Sequence, residues 1–115
     1  MAHRTRRTRG VRILIALLLV PALACGIDLS AERTHELVRM VRQDCGACHG
    51  FTLKGGLGPP LLPESLRDKS VQFLRYTVLF GRPGTPMPPW NAFLTEAEAD
   101  WIVRQLMTGF PEESR

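Results

Sequence analysis

Cys45-Gly46-Ala47-Cys48-His49 is the stretch on which the reading of this chain turns. Two cysteines separated by two residues, with a histidine directly after the second, form the C-x-x-C-H pattern of a covalent haem attachment site. The spacing has a geometric reason. The two vinyl groups of haem lie on one part of the macrocycle edge, and two intervening residues let a single helical turn offer both sulfurs. The adjoining His49 then points its imidazole at the iron. Two thioethers hold the group without a deep pocket, which suits a short chain. Other readings of the same residues ask for more than the chain supplies. A structural zinc site takes four ligands, commonly from two knuckles, and Cys25 and His35 do not make the second. A thioredoxin-like pair needs a strand–helix setting, and no alternating run here is long enough for a strand. A plain disulfide leaves His49 unexplained. The motif assigns Cys45 and Cys48 as covalent anchors of one haem c per chain, with His49 as an axial ligand to its iron.

Outward from the motif, the pattern is helices separated by Gly/Pro-rich loops, an all-α reading. The first helix is predicted from about Ala31 to Gln43, with Ser30 as N-cap. Glu32 and Glu36 lie near its start and Arg39 and Arg42 near its end, the order that complements the helix dipole. A short turn is predicted around Glu64 to Asp68. A second helix runs from about Val71 to Phe80, between Ser70 and Gly81, apolar on more than one face and so expected to be largely buried. The last helix opens on a capping box, Thr95 with Glu98, and Leu94 is placed as its hydrophobic staple. Gly109 and Pro111 end it.

A sixth iron ligand is sought among His35, Met40, Met87 and Met107. Met40 and Met107 sit on helical apolar faces, where methionine packs a core. His35 falls in the first turns of a helix, where a surface position is the default. Met87 differs. It lies 38 residues after His49, in Thr85-Pro86-Met87-Pro88-Pro89, a stiff segment with no helical period. Met87 is assigned as the distal axial ligand.

The N-terminus reads as an export signal. Arginines crowd the first twelve residues, Ile13 to Val20 is unbroken apolar sequence, Pro21 interrupts it, and Ala22-Leu23-Ala24 fits a signal-peptidase site. The apolar run is shorter than the ~20 residues that span a bilayer. Residues 1–24 are therefore the predicted signal, 25–36 a lead-in with the start of the first helix, 37–110 the haem domain and 111–115 a tail. Cys25 directly follows the cut, and a lipid on it is the one route to membrane contact. The whole-chain charge of +4 suggests nucleic acid, but the basic excess belongs to the signal. From Cys25 onward ten basic residues face eleven acidic ones, so a nucleic-acid partner is set aside.

Cys45 to His49, the Gly58-Pro59 pair, Met87 in its proline loop and the Leu94-Thr95 helix start together resemble the class I c-type cytochromes. The resemblance spans roughly Leu37 to Gly109. It implies a small monohaem fold, three to four helices around a covalently bound haem. It also implies that the Pro59 carbonyl accepts a hydrogen bond from the second ring nitrogen of His49, which orients the ring and tunes its basicity. Many members carry a glycine eight residues before the first haem cysteine and an aromatic near the end of the last helix. Leu37 and Gln105 stand there instead, so the first and last helices are expected to cross with Leu37 and Val41 against Ile102 and Leu106.

Asp44 to Gly50, Gly55 to Pro59 and Gly81 to Trp90 are similar to the small NirC-type cytochromes (cytochrome c-55X), which accompany cytochrome cd1 nitrite reductase in denitrifying bacteria. That likeness implies a periplasmic, monomeric one-electron carrier with no catalytic residues, its partners being nitrite reductase or the proteins of late haem d1 formation. A role within haem d1 synthesis is one alternative. A ligand-binding haem sensor, with Met87 displaceable from the iron, is another. Trp90 either contacts the haem or fills the core, and Arg82 either pairs with a propionate or is solvated.

Overall fold

The computed structural model describes residues 29–113. The predicted signal peptide and Cys25 lie outside the described residues. Five α-helices and one π turn follow in order: α1 (Ala31–Met40), the π turn (Val41–Cys45), α2 (Gly46–His49), α3 (Pro63–Leu66), α4 (Val71–Phe80) and α5 (Glu96–Thr108). The first three are continuous, giving four helical segments, and the described residues contain no strand. No helix among them is long and apolar enough to cross a membrane.

α1 starts where its cap predicts. The Ser30 hydroxyl accepts from the Arg33 N–H at 3.1 Å, Glu32 sits in the first turn and Arg39 in the last. Its end differs from the expectation of Gln43. The α geometry stops at Met40 and widens into the π turn, where the Gly46 N–H reaches back five residues to the Val41 carbonyl. One consequence is that consecutive residues, Val41 and Arg42, are both buried. The helix then tightens again into the single turn that carries Cys48 and His49.

α4 and α5 fall within the predicted boundaries. Ser70 caps α4 by accepting from the Phe73 N–H, and Gly81 stops it with φ 71°. At α5 both halves of the capping box are present. The Thr95 hydroxyl accepts from the Glu98 N–H at 3.2 Å, and a Glu98 carboxylate oxygen accepts from the Thr95 N–H at 2.8 Å. Leu37, Val41, Leu53, Leu66, Leu79, Leu94, Ala99, Ile102 and Leu106 form one buried cluster. The four residues expected at the crossing of the first and last helices are therefore core residues together. Arg33 strengthens that crossing. Its guanidinium donates to Glu98 at 2.6 Å, to Glu36 at 2.9 Å and to the Phe93 carbonyl at 3.2 Å. A second ionic tie joins α4 to α5, with Arg75 on Asp100 at 3.1 Å and on Glu96 at 3.3 Å.

The burial expected of α4 is corrected. Only Leu79 is buried, while Phe73, Tyr76 and Phe80 stand about half to two-thirds exposed. Protein covers the face of α4 that packs on α5 and leaves the other apolar face open. The Tyr76 and Phe80 rings rest on each other there, 4.7 Å apart.

Candidate haem site

α2 is one turn long, starts directly after Cys45 closes the π turn, and ends on Cys48 and His49. Both cysteines are free thiols, Cys45 half-buried and Cys48 exposed. Burial, followed by the neighbouring Asp44 charge, pushes the Cys45 thiol up to about 11. Its neutral form is thus favoured at ordinary pH. Among the described residues no three His, Cys, Asp or Glu side chains converge as a metal site would.

A glycine-rich loop caps the open carbonyls of this turn. The Gly58 N–H donates to the Cys48 carbonyl and the Gly55 N–H to the His49 carbonyl, each at 2.8 Å. The loop then passes directly under the imidazole. A Cβ on Gly58 would sit 2.8 Å from Cε1 and Nδ1 of His49, so any side chain there would push the ring. The next residue supplies the partner: His49 Nδ1 lies 2.7 Å from the Pro59 carbonyl. A carbonyl only accepts, so Nδ1 carries the proton and Nε2 keeps its lone pair for a metal. Sequence reading did not single out Leu53, which anchors the loop. It is buried at φ 61°, a left-handed conformation in which a leucine is uncommon, and its carbonyl accepts from the Leu61 N–H at 2.9 Å.

Met87 lies half-buried in a loop closed on itself. The Arg82 N–H donates to the Met87 carbonyl at 3.2 Å, and the Thr85 hydroxyl donates to the Arg82 carbonyl at 2.7 Å. Gly81 is required where the loop returns, because a Cβ there would meet the Met87 carbonyl oxygen at 2.7 Å. The Trp90 N–H reaches the Val78 and Leu79 carbonyls, both at 3.1 Å, tying the far end of the loop to α4. Trp90 is half-buried, packs on the core cluster and lies 5.9 Å from the Phe93 ring. Arg82 is exposed. Of the other ligand candidates, Met40 and Met107 pack on the core, and His35 is exposed on α1.

These residues fit a haem on two further counts. An imidazole nitrogen with its lone pair free and a thioether in a loop closed by its own hydrogen bonds are both donor types that cytochromes c use. The surface also carries large apolar side chains that the protein leaves uncovered. Leu57 is 94% exposed, Phe51 and Phe93 64%. A flat apolar macrocycle offers partners that the chain itself does not.

Residues 32–104 match the family model described as cytochrome c oxidase, cbb3-type, subunit III. Cytochrome c55X of Pseudomonas aeruginosa is 53% identical over 79 residues, a match covering 69% of this chain and 66% of that protein. Cytochrome c55X of Stutzerimonas stutzeri is 46% identical over 99 residues, covering 86% and 87%. Among solved structures, a c-type cytochrome NirC superposes with a TM-score of 0.69 at 51% identity, over 70% of this chain and 95% of that one. The dihydro-heme d1 dehydrogenase NirN, in complex with DHE, superposes with a TM-score of 0.59 at 40% identity, over 71% of this chain but 17% of that one. Fold, motif spacing and these similarities agree: the chain belongs to the class I c-type cytochromes, in close relation to cytochrome c55X (NirC).

Proposed function

We propose that this chain is an exported monohaem cytochrome that carries single electrons in denitrification, with cytochrome cd1 nitrite reductase as the acceptor. The observation that carries the reading is the His49 hydrogen bond to Pro59 at 2.7 Å, beside a glycine on which a Cβ would crowd the ring. It leaves one imidazole nitrogen free on the same turn that presents two thiols. Membership of the c55X group supports a c-type haem and a periplasmic location. Haem, when bound, supplies a one-electron iron couple whose potential is raised by His/Met ligation.

The chain's own residues would do the rest. Cys45 and Cys48 would fix the porphyrin through two thioethers. His49, oriented by Pro59, and Met87 would fill both axial positions and leave none for substrate. The Gly81–Trp90 loop, closed by its own hydrogen bonds and by proline, would keep the thioether in place in both oxidation states, which keeps reorganisation small. Trp90 would border the haem from the core side. Signal cleavage after residue 24 delivers the chain to the periplasm, and a lipid on Cys25 would hold it at the membrane.

A second reading has its own support. The chain superposes on part of a dihydro-heme d1 dehydrogenase, and 43% identity runs over 74 residues of that enzyme, 15% of its length. A free-standing cytochrome of this build would serve as electron acceptor in late haem d1 formation. Two measurements separate the readings. Reduced protein mixed with purified cytochrome cd1 should be oxidised rapidly, in step with nitrite reduction. Deletion of the gene should lower nitrite reduction while leaving haem d1 in the reductase. A reductase lacking haem d1 in the deletion strain would favour the maturation role. A ferrous form that takes up carbon monoxide would instead indicate a ligand-binding sensor.

A further inference from the structure

A buried charge lies directly behind the attachment turn and belongs to no ligand set. Arg42 keeps only 8% of its surface exposed, within the π turn three residues before Cys45. Its guanidinium faces the C-terminal segment. Nε and Nη2 donate to the Pro111 carbonyl at 3.1 and 2.8 Å, and Nη2 also donates to the Phe110 carbonyl at 3.0 Å. The group stacks over the Phe110 ring, 5.6 Å from its centroid. Nη1 donates to the Phe51 carbonyl at 3.4 Å, two residues after His49. Phe51 in turn abuts the attachment turn, its Cα 3.2 Å from where a Cβ on Gly46 would stand. The carboxylate paired with Arg42, Glu112 at 3.3 Å, is 92% exposed, so water screens it.

We propose that Arg42 is a positioning residue for the haem-attachment segment and the fixed positive charge of the proximal side, holding the iron couple toward its ferrous form. The proposal rests on the haem reading given above. Its side chain leaves the backbone just before Cys45 and its fork grips a carbonyl just after His49, so both ends of the C-x-x-C-H turn hang on one group. The grip needs a planar fork. Five donors in fixed directions satisfy three carbonyls at once, which an ammonium on a flexible stem does not reproduce. Carbonyl partners make burial of the charge tolerable without cancelling it. Loss of an electron adds one positive charge to the iron centre, and a nearby fixed cation opposes that step.

The test uses mature, haem-loaded protein and three variants. R42Q removes the charge and keeps amide donors. R42K keeps the charge and loses the fork. A chain ending at Gly109 keeps Arg42 but takes away two of its three carbonyl partners and opens it to water. Midpoint potentials are measured by spectroelectrochemical titration at low and high salt, and unfolding is followed by far-UV circular dichroism. R42Q is expected to move the equilibrium with a reference couple about tenfold toward the ferric form, or ~59 mV for one electron. R42K is expected to stay within about twofold of wild type in that equilibrium while unfolding at a lower temperature. The shortened chain is expected to shift in the direction of R42Q and to respond more strongly to salt, because an exposed charge is screened. If R42Q yields no haem protein, the shortened chain decides alone. Unmoved potentials in R42Q and the shortened chain would overturn the proposal, as would an R42K shift equal to that of R42Q. Wild-type protein without haem would overturn the haem reading and this proposal with it, whereas haem-loaded wild type with unmoved variant potentials would overturn this proposal alone.

Discussion

His49 Nδ1 donates a hydrogen bond to the Pro59 carbonyl at 2.7 Å. Gly58 makes that approach sterically allowed, so G58A should be costly out of proportion to one methyl. The added carbon would lie 2.8 Å from two ring atoms. We expect urea unfolding of the haem-loaded variant to show a loss of about 1–3 kcal/mol, the usual range for overpacking, along with a shifted midpoint potential. On the proposed His49/Met87 ligation, M87A should remove the red-edge methionine–iron band from the ferric spectrum and let the ferrous form take up carbon monoxide. A ferrous M87A protein that excludes carbon monoxide would mean that another group holds the iron. At this scale the sequence marks candidates, and the His49–Pro59 contact is the one the structure bears out. C-x-x-C-H spacing and a methionine without helical period are local signals, and family likeness implied the Pro59 acceptor. Arg42 and Leu53 were not legible. Arg42 earns its burial from carbonyls 68 and 69 positions away, which carry no side-chain signature, and Leu53 occupies a conformation that its residue type disfavours.

Helix ends were read from their caps with little error, because capping is a contact over three residues. Ser70 and Gly81 bound α4, and Thr95 and Gly109 bound α5. The π turn after Met40 escaped because a five-residue hydrogen bond leaves no pattern in side-chain types. The capping box of α5 also does work between elements, since Glu98 receives Arg33 from α1. T95A should therefore cost about 1 kcal/mol in thermal or urea unfolding. Glu98 carries a pH dependence. Its hydrogen bond from Arg33, aided by the Thr95 backbone N–H, holds the carboxyl below the ordinary carboxylate range. A carboxyl depressed in the folded state contributes stability above its unfolded pKa and loses it as pH falls through the folded one. The melting temperature should fall on acidification below the ordinary carboxylate range, and E98Q should flatten that acid limb. An unchanged acid limb in E98Q would assign the loss to other carboxyls.

At the scale of the whole molecule, the chain has more apolar surface than its helices can cover. Small domains bury only ~60% of the surface their unfolded chains expose. Here Leu57, Phe51, Phe93, Tyr76 and Phe73 remain more than half exposed. The expectation of a largely buried α4 failed for this reason: periodicity reports that a face is apolar and not whether protein or prosthetic group will cover it. The double variant C45A/C48A should therefore be colourless, bind an apolar dye and melt well below the haem-loaded protein by circular dichroism; equal melting would deny the haem any part in the core. The most direct measurement is the intact mass of the purified, exported protein combined with thiol labelling under denaturing conditions. One haem per chain, with neither Cys45 nor Cys48 taking label, is the expected result. Colourless protein in which both sulfurs take label, or are joined to each other, would contradict it.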